Sequence, residues 1–183
     1  MPSTALLVGA GSVGKRHAAV LANRYKKVIV IDSNTNALTW AARELSCETA
    51  CARTLEELDD MVRSSAEDIT AVIATWGPSH FQIFEQLVAM GVRRVFCEKP
   101  LATSLQQIRA MRRTSRQASV SLTAGLHLRY RGIIEFIASV SRELLGGKPT
   151  SFVVDGGARC VATNGTHWLD LAIGLFGSQP RRS

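Results

Sequence analysis

Thr4-Ala5-Leu6-Leu7-Val8-Gly9-Ala10-Gly11-Ser12-Val13-Gly14-Lys15-Arg16-His17 is the stretch of this 183-residue chain whose reading decides the fold. Thr4–Val8 is apolar and of strand length, and Gly14–Asn23 has the composition of a helix. A Gly9-x-Gly11-x-x-Gly14 turn therefore stands where a strand hands over to a helix. Gly9 permits the tight turn, Gly11 lets the backbone approach a pyrophosphate, and Gly14 lets the helix pack on the strand. Ser12 and Val13, between the last two glycines, would face the same ligand. The phosphates would sit on free amides at the positive end of the helix dipole. A glycine turn that holds no ligand is the alternative, which the placement between strand and helix disfavours.

The pattern continues outward. Lys27–Ile31 reads as a second strand and ends at Asp32, eighteen residues after Gly14. An acid about 20 residues on accepts hydrogen bonds from the adenine ribose hydroxyls. It would repel a 2′-phosphate, and no arginine follows at once to accept one, so NAD is expected rather than NADP. Asp32-Ser33-Asn34 also suits a simple turn. A helix over Asn36–Leu45, capped by Asn34, leads to a short strand at Cys47–Cys51. Thr54 is expected to cap a helix through Val62, with Glu57 completing a capping box. Ile69–Ala74 is a clear strand, bounded by Trp76-Gly77-Pro78. Ser79 is expected to cap a helix that runs to Met90 and stops at Gly91. Arg94–Cys97, a helix over Ser104–Arg116 and a strand over Ser119–Thr123 follow. The strands are continuous apolar runs, as in a sheet covered on both faces. Strands alternating with helices predict a doubly wound parallel α/β sheet of Rossmann type over residues 1–123.

Residues 124–183 read differently: a helix at Ile133–Leu145 ended by glycines, a strand at Thr150–Val154, and a helix at Gly165–Phe176. Roughly sixty residues is thin for a domain with its own core, so this is read as the incomplete start of a second α+β domain.

Composition excludes other classes. Hydrophobic residues are 46% and charged residues 20%, a globular mix. No apolar run nears the roughly 18 residues of a membrane span, and none fits a signal peptide. Cys47, Cys51, Cys97 and Cys160 form no C-x-x-C pair and match no zinc spacing, so no metal is expected. Reduced thiols and a cytoplasmic location are the simplest inference. The chain carries 22 Lys and Arg against 15 Asp and Glu. Arg109, Arg112, Arg113 and Arg116 have helical spacing without interleaved aromatics, so a basic solvated face, or one attracting an anionic ligand, is preferred over nucleic-acid binding.

Two further groups carry chemistry. Glu98-Lys99-Pro100 follows the fifth strand, at the sheet edge where such folds bind ligands. Lys99 is placed either to reach a substrate hydroxyl or to pair with Glu98 on the surface. His167 and Asp170 are three apart at a helix start and share a face. His167 has the chemistry of a general base for an alcohol, or of a packed and capped histidine. Asp170 orients the imidazole, caps the helix or binds substrate.

Gly9-Ala-Gly11-Ser-Val-Gly14-Lys-Arg-His17, Ala74-Thr75-Trp-Gly-Pro-Ser-His80, Glu98-Lys99-Pro100-Leu101 and Gly165-Thr-His167-Trp-Leu-Asp170 together resemble the glucose–fructose oxidoreductase / inositol dehydrogenase / MocA family, in order and over nearly the whole chain. The resemblance implies an NAD(P)-dependent oxidoreductase that moves a hydride between a nicotinamide and a secondary alcohol of a sugar, polyol or derivative. It implies that Lys99 is the active-site lysine and His167 the catalytic acid/base. Thr75 and His80 would lie in the cofactor-binding turn, Glu98 would border the nicotinamide, and Arg129-Tyr130 would be an Arg-aromatic element. Arg129, Asn164 and Asp170 join Lys99 and His167 as expected substrate contacts. Many members carry an aspartate four residues before the histidine; Thr163 stands there, followed by Asn164. Members also continue into an open, largely antiparallel sheet that covers the nicotinamide and often forms a homo-oligomer. The chain is therefore expected to be a truncated member, and a catalytically impaired dinucleotide-binding module is the alternative.

Overall fold

The computed structural model describes residues 4–154 and 164–177. The chain divides into two compact units after Gly125.

In the first unit, β1 (Thr4–Val8), β2 (Lys27–Ile31), β3 (Glu48–Ala52), β4 (Ile69–Ile73), β5 (Arg94–Cys97) and β6 (Ser121–Ala124) form one sheet in the order β3-β2-β1-β4-β5-β6. Every pairing is parallel. The order reverses between β1 and β4, the switch point at which doubly wound sheets leave a crevice beyond the carboxyl ends of their strands. The continuous apolar runs are explained by two cores. Ala5 and Leu7 of β1, with Val28 and Val30 of β2, pack under α1 (Ser12–Ala22) and α2 (Thr35–Glu44). Leu6, Val8, Ile29 and Ile31 point the other way, into a cluster with Phe84, Leu87 and Met111. Those three come from α4 (His80–Ala89) and α5 (Leu105–Gln117). Alternate side chains of one strand thus enter opposite cores.

Asn34 and Ser104 cap as side chains should: Asn34 accepts from the Asn36 amide and Ser104 from the Gln107 amide. Two expected caps fail. Beyond Thr54 the chain makes a 3₁₀ turn, Glu56–Leu58, before the short α3 (Asp59–Ser64), and neither start has a side-chain cap. Glu57 instead accepts from the Arg53 amide at 2.9 Å, one residue earlier than a capping box would place it. Ser79 follows the 3₁₀ turn Gly77–Ser79, and its hydroxyl is spent on Thr75 Oγ1 and the Trp76 carbonyl rather than on α4. In both places the tighter first turn shifts the orphan amides away from the serine or threonine.

The second unit contains a 3₁₀ turn at His127–Tyr130, α6 (Ile133–Leu145) and α7 (Thr166–Phe176). Gly146 and Gly177 end the helices in the left-handed region. The strand expected at Thr150–Val154 is not formed. A strand needs a paired edge, and among the described residues this unit has none. Thr163 and Cys160 lie outside the described residues. Among those residues, no helix is long and apolar enough to cross a membrane, and no group of three His, Cys, Asp or Glu is placed to hold a metal ion.

Candidate functional site

The three glycines of the opening turn stand in three different surroundings. Gly9 has φ +94°, and a Cβ there would lie 2.8 Å from the Ala74 and Thr75 backbone. A Cβ on Gly14 would fall on the Gly9 carbonyl oxygen. Gly11 is unlike both: a Cβ there would meet nothing within 4 Å. The protein itself does not need glycine at 11, so the open side of that residue is room for a ligand. Gly11 also occupies the N-cap of α1 without any side-chain cap. The exposed first turn, Ser12 and Val13 included, presents its amides outward. This cradle fits a pyrophosphate.

Asp32 stands next to it. Its Oδ2 accepts from the Ala10 amide at 2.7 Å and its Oδ1 from the Asn34 amide at 2.8 Å. The carboxylate therefore braces the glycine turn as well as facing a cleft of about 510 Å³, whose walls include Gly9, Gly11, Asp32, Thr75 and Trp76. Trp76 is exposed at this wall. Thr75 reaches the cleft, whereas His80 does not. His80 is fully buried beneath the turn, with Nδ1 2.8 Å from the Pro100 carbonyl and Nε2 2.9 Å from the Thr75 carbonyl. It ties the β4 turn to the cis Lys99-Pro100 turn.

Glu98 takes His17 Nε2 on Oε1 at 2.8 Å and the Lys99 amide on Oε2 at 3.2 Å. Gly125 packs against the same carboxylate: a Cβ there would lie 3.0 Å from Glu98 Oε2. Burial pushes the Glu98 carboxyl up, but the His17 and Lys99 hydrogen bonds and charges outweigh it and hold the group below its ordinary value. Next to it, burial and the Glu98 charge push the Cys97 thiol up to about 12, so it stays neutral and inert. Lys99 is half-buried at the end of β5.

In the second unit, Arg129 grips the buried Asp170 through a fork. Its Nε lies 3.0 and 3.1 Å from the two carboxylate oxygens, and a terminal nitrogen joins Oδ1. Arg129 and Asp170 are therefore partners of each other. His167 is buried on α7, one turn before Asp170, with its ring edge-on to His127 at 4.4 Å. Asn164 is half-buried just before that helix.

The expected residues thus form three groups: Gly9, Gly11, Ser12, Val13, Gly14, Asp32 and Thr75 at the cradle; Glu98 and Lys99 at the end of β5; and Arg129, Asn164, His167 and Asp170 in the second unit. Two residues were missed. His17 closes the opening glycine motif, but nothing local marks it as the partner of Glu98, 81 residues away. Arg53 lines the cleft beside Asp32 and has no motif of its own.

Comparison with known proteins agrees with this geometry. Residues 4–126 match the Gfo/Idh/MocA model, described as "Oxidoreductase family, NAD-binding Rossmann fold". The chain is 25% identical over 191 residues to an inositol 2-dehydrogenase of Rhizobium meliloti, covering 95% of this chain and 55% of that one. It is 32% identical over 134 residues to a D-apiose dehydrogenase of Paraburkholderia graminis, covering 64% and 36%. Among solved structures, scyllo-inositol dehydrogenase of Lactobacillus casei with bound NAD(H) and scyllo-inositol superposes with a TM-score of 0.75 at 21% identity, covering 95% of this chain and 56% of that one. The chain spans just over half the length of these two inositol dehydrogenases. With the cradle and the switch-point crevice accounted for, the chain belongs to the Gfo/Idh/MocA oxidoreductase family, and its residues 4–126 are that family's NAD-binding Rossmann domain.

Proposed function

We propose that this chain binds NAD at the glycine turn and, in the protein of which it forms all or part, oxidises or reduces a secondary alcohol of a polyol or sugar. The observation that carries the reading is the open space over Gly11, at the uncapped start of α1. The pyrophosphate takes the first-turn amides of α1, and Asp32 accepts a ribose hydroxyl on lone pairs left by Ala10 and Asn34. Thr75, held from below by His80, lines the path from the ribose toward the end of β5. When bound, the nicotinamide supplies the two-electron chemistry. In the first unit Lys99 is the residue whose ammonium would polarise a substrate oxygen, and in the second His167 is the acid/base that the family resemblance implies. Asp170, neutralised by Arg129, gives the second unit a fixed polar wall. Relatives named as inositol, glucose-6-phosphate and apiose dehydrogenases support the substrate class.

The test is a fluorescence titration of the purified chain with NADH, followed by turnover against a panel of inositols and aldoses. Saturable binding with turnover that falls about 10²–10⁴-fold in Lys99→Ala is expected. Absence of nicotinamide binding overturns the reading.

A further inference from the structure

We propose that Arg53 forms a subsite for the 2′-phosphate of NADP(H), so that the cleft takes both dinucleotides. The inference rests on the reading of the glycine turn as a dinucleotide site. Its basis is strand register. Ile31 pairs with Ala52 at the end of β2 and β3, and the Asp32 amide donates to the Ala52 carbonyl at 3.2 Å. The next residues along the two strands, Asp32 and Arg53, are therefore neighbours, and both line the same cleft with Ser33. The Arg53 amide is held by Glu57 at 2.9 Å, which fixes the point from which the side chain departs. Its side chain is exposed, and no carboxylate among the described residues lies within ion-pair distance of the guanidinium.

Asp32, which would exclude a 2′-phosphate, is partly committed elsewhere. Each of its oxygens already accepts a backbone amide. Another carboxylate on the cleft wall, Glu56, accepts from Gln86 Nε2 at 3.1 Å. The nearby cation on α1, Lys15, rests over the Trp40 ring at 4.6 Å. A guanidinium fork matches a phosphate bidentately, and an unpaired one is free to do so. The ribose edge thus carries an acceptor for the bare hydroxyl and a donor for the phosphate, side by side.

Titration of the purified chain with NADH and with NADPH, by nicotinamide fluorescence, separates the outcomes. Wild type is expected to bind both, with dissociation constants within about tenfold of each other. Arg53→Gln is expected to weaken NADPH by about tenfold or more while moving NADH less than about twofold, the loss of charge-assisted hydrogen bonds to one phosphate. Arg53→Lys, which keeps the charge and loses the fork, should fall between. NADH binding with NADPH more than about a hundredfold weaker overturns the subsite alone, as does an equal loss of both cofactors in Arg53→Gln. Failure of both cofactors to bind wild type overturns the dinucleotide reading and the subsite with it.

Discussion

Gly11 and Gly14 lie three residues apart and answer to different constraints. A methyl group on Gly14 meets the Gly9 carbonyl, which is backbone and cannot swing aside. Gly14→Ala should therefore cost about 1–3 kcal/mol of overpacking, read as a lower urea midpoint. A side chain on Gly11 enters open space. Gly11→Val should cost no more than about 1 kcal/mol of capping preference yet abolish NADH binding. A Gly11→Val protein that binds NADH normally would show that nothing approaches that backbone. At this scale the sequence is a good guide where the constraint is local. The glycines and Asp32 sit within one crossover and are legible from spacing. Arg53 is not, because its neighbour Asp32 is 21 residues away and only the parallel register brings them level.

Between elements, the tie that matters most runs from α1 to the end of β5. His17 and Glu98 join the helix that would hold the pyrophosphate to the turn that carries Lys99. Because the Glu98 carboxyl lies below its ordinary value when folded, its ionised form stabilises the native state. That contribution is fully present above the unfolded value near 4.3 and is lost as pH falls through the lower folded value. Urea midpoints measured from pH 7 to pH 3 should show Glu98→Gln less stable at neutral pH and with a shallower acid slope. Identical acid slopes for the two proteins would remove the tie from the stability of the fold. Most elements are legible to within a residue or two, since apolar runs and caps are short-range signals. Thr54 and Ser79 misled because a 3₁₀ turn precedes each helix. Thr150–Val154 misled because β-branched composition makes a strand only where a neighbour offers an edge.

At the scale of the whole molecule, the burial is uneven. The two cores of the sheet contain nearly all the buried apolar side chains, while among the described residues of the second unit only Leu171 and Leu175 are apolar and fully buried. Phe136, Leu144 and Leu145 of α6 are two-thirds exposed or more. Amides of α6 and α7 should therefore exchange with solvent through openings of lower free energy than those of β1, β2 and β4. Uniform protection across both units in native-state hydrogen exchange would contradict this. The division itself falls at a residue already met in the account of Glu98. Gly125, the last of the first unit, lies against that carboxylate so closely that a methyl group would make the neighbour give way by a few tenths of an ångström. A glycine thus stands where one unit ends and where the Glu98 carboxylate comes close to the backbone. Any bulk acquired there would press on the acid that anchors the pyrophosphate helix.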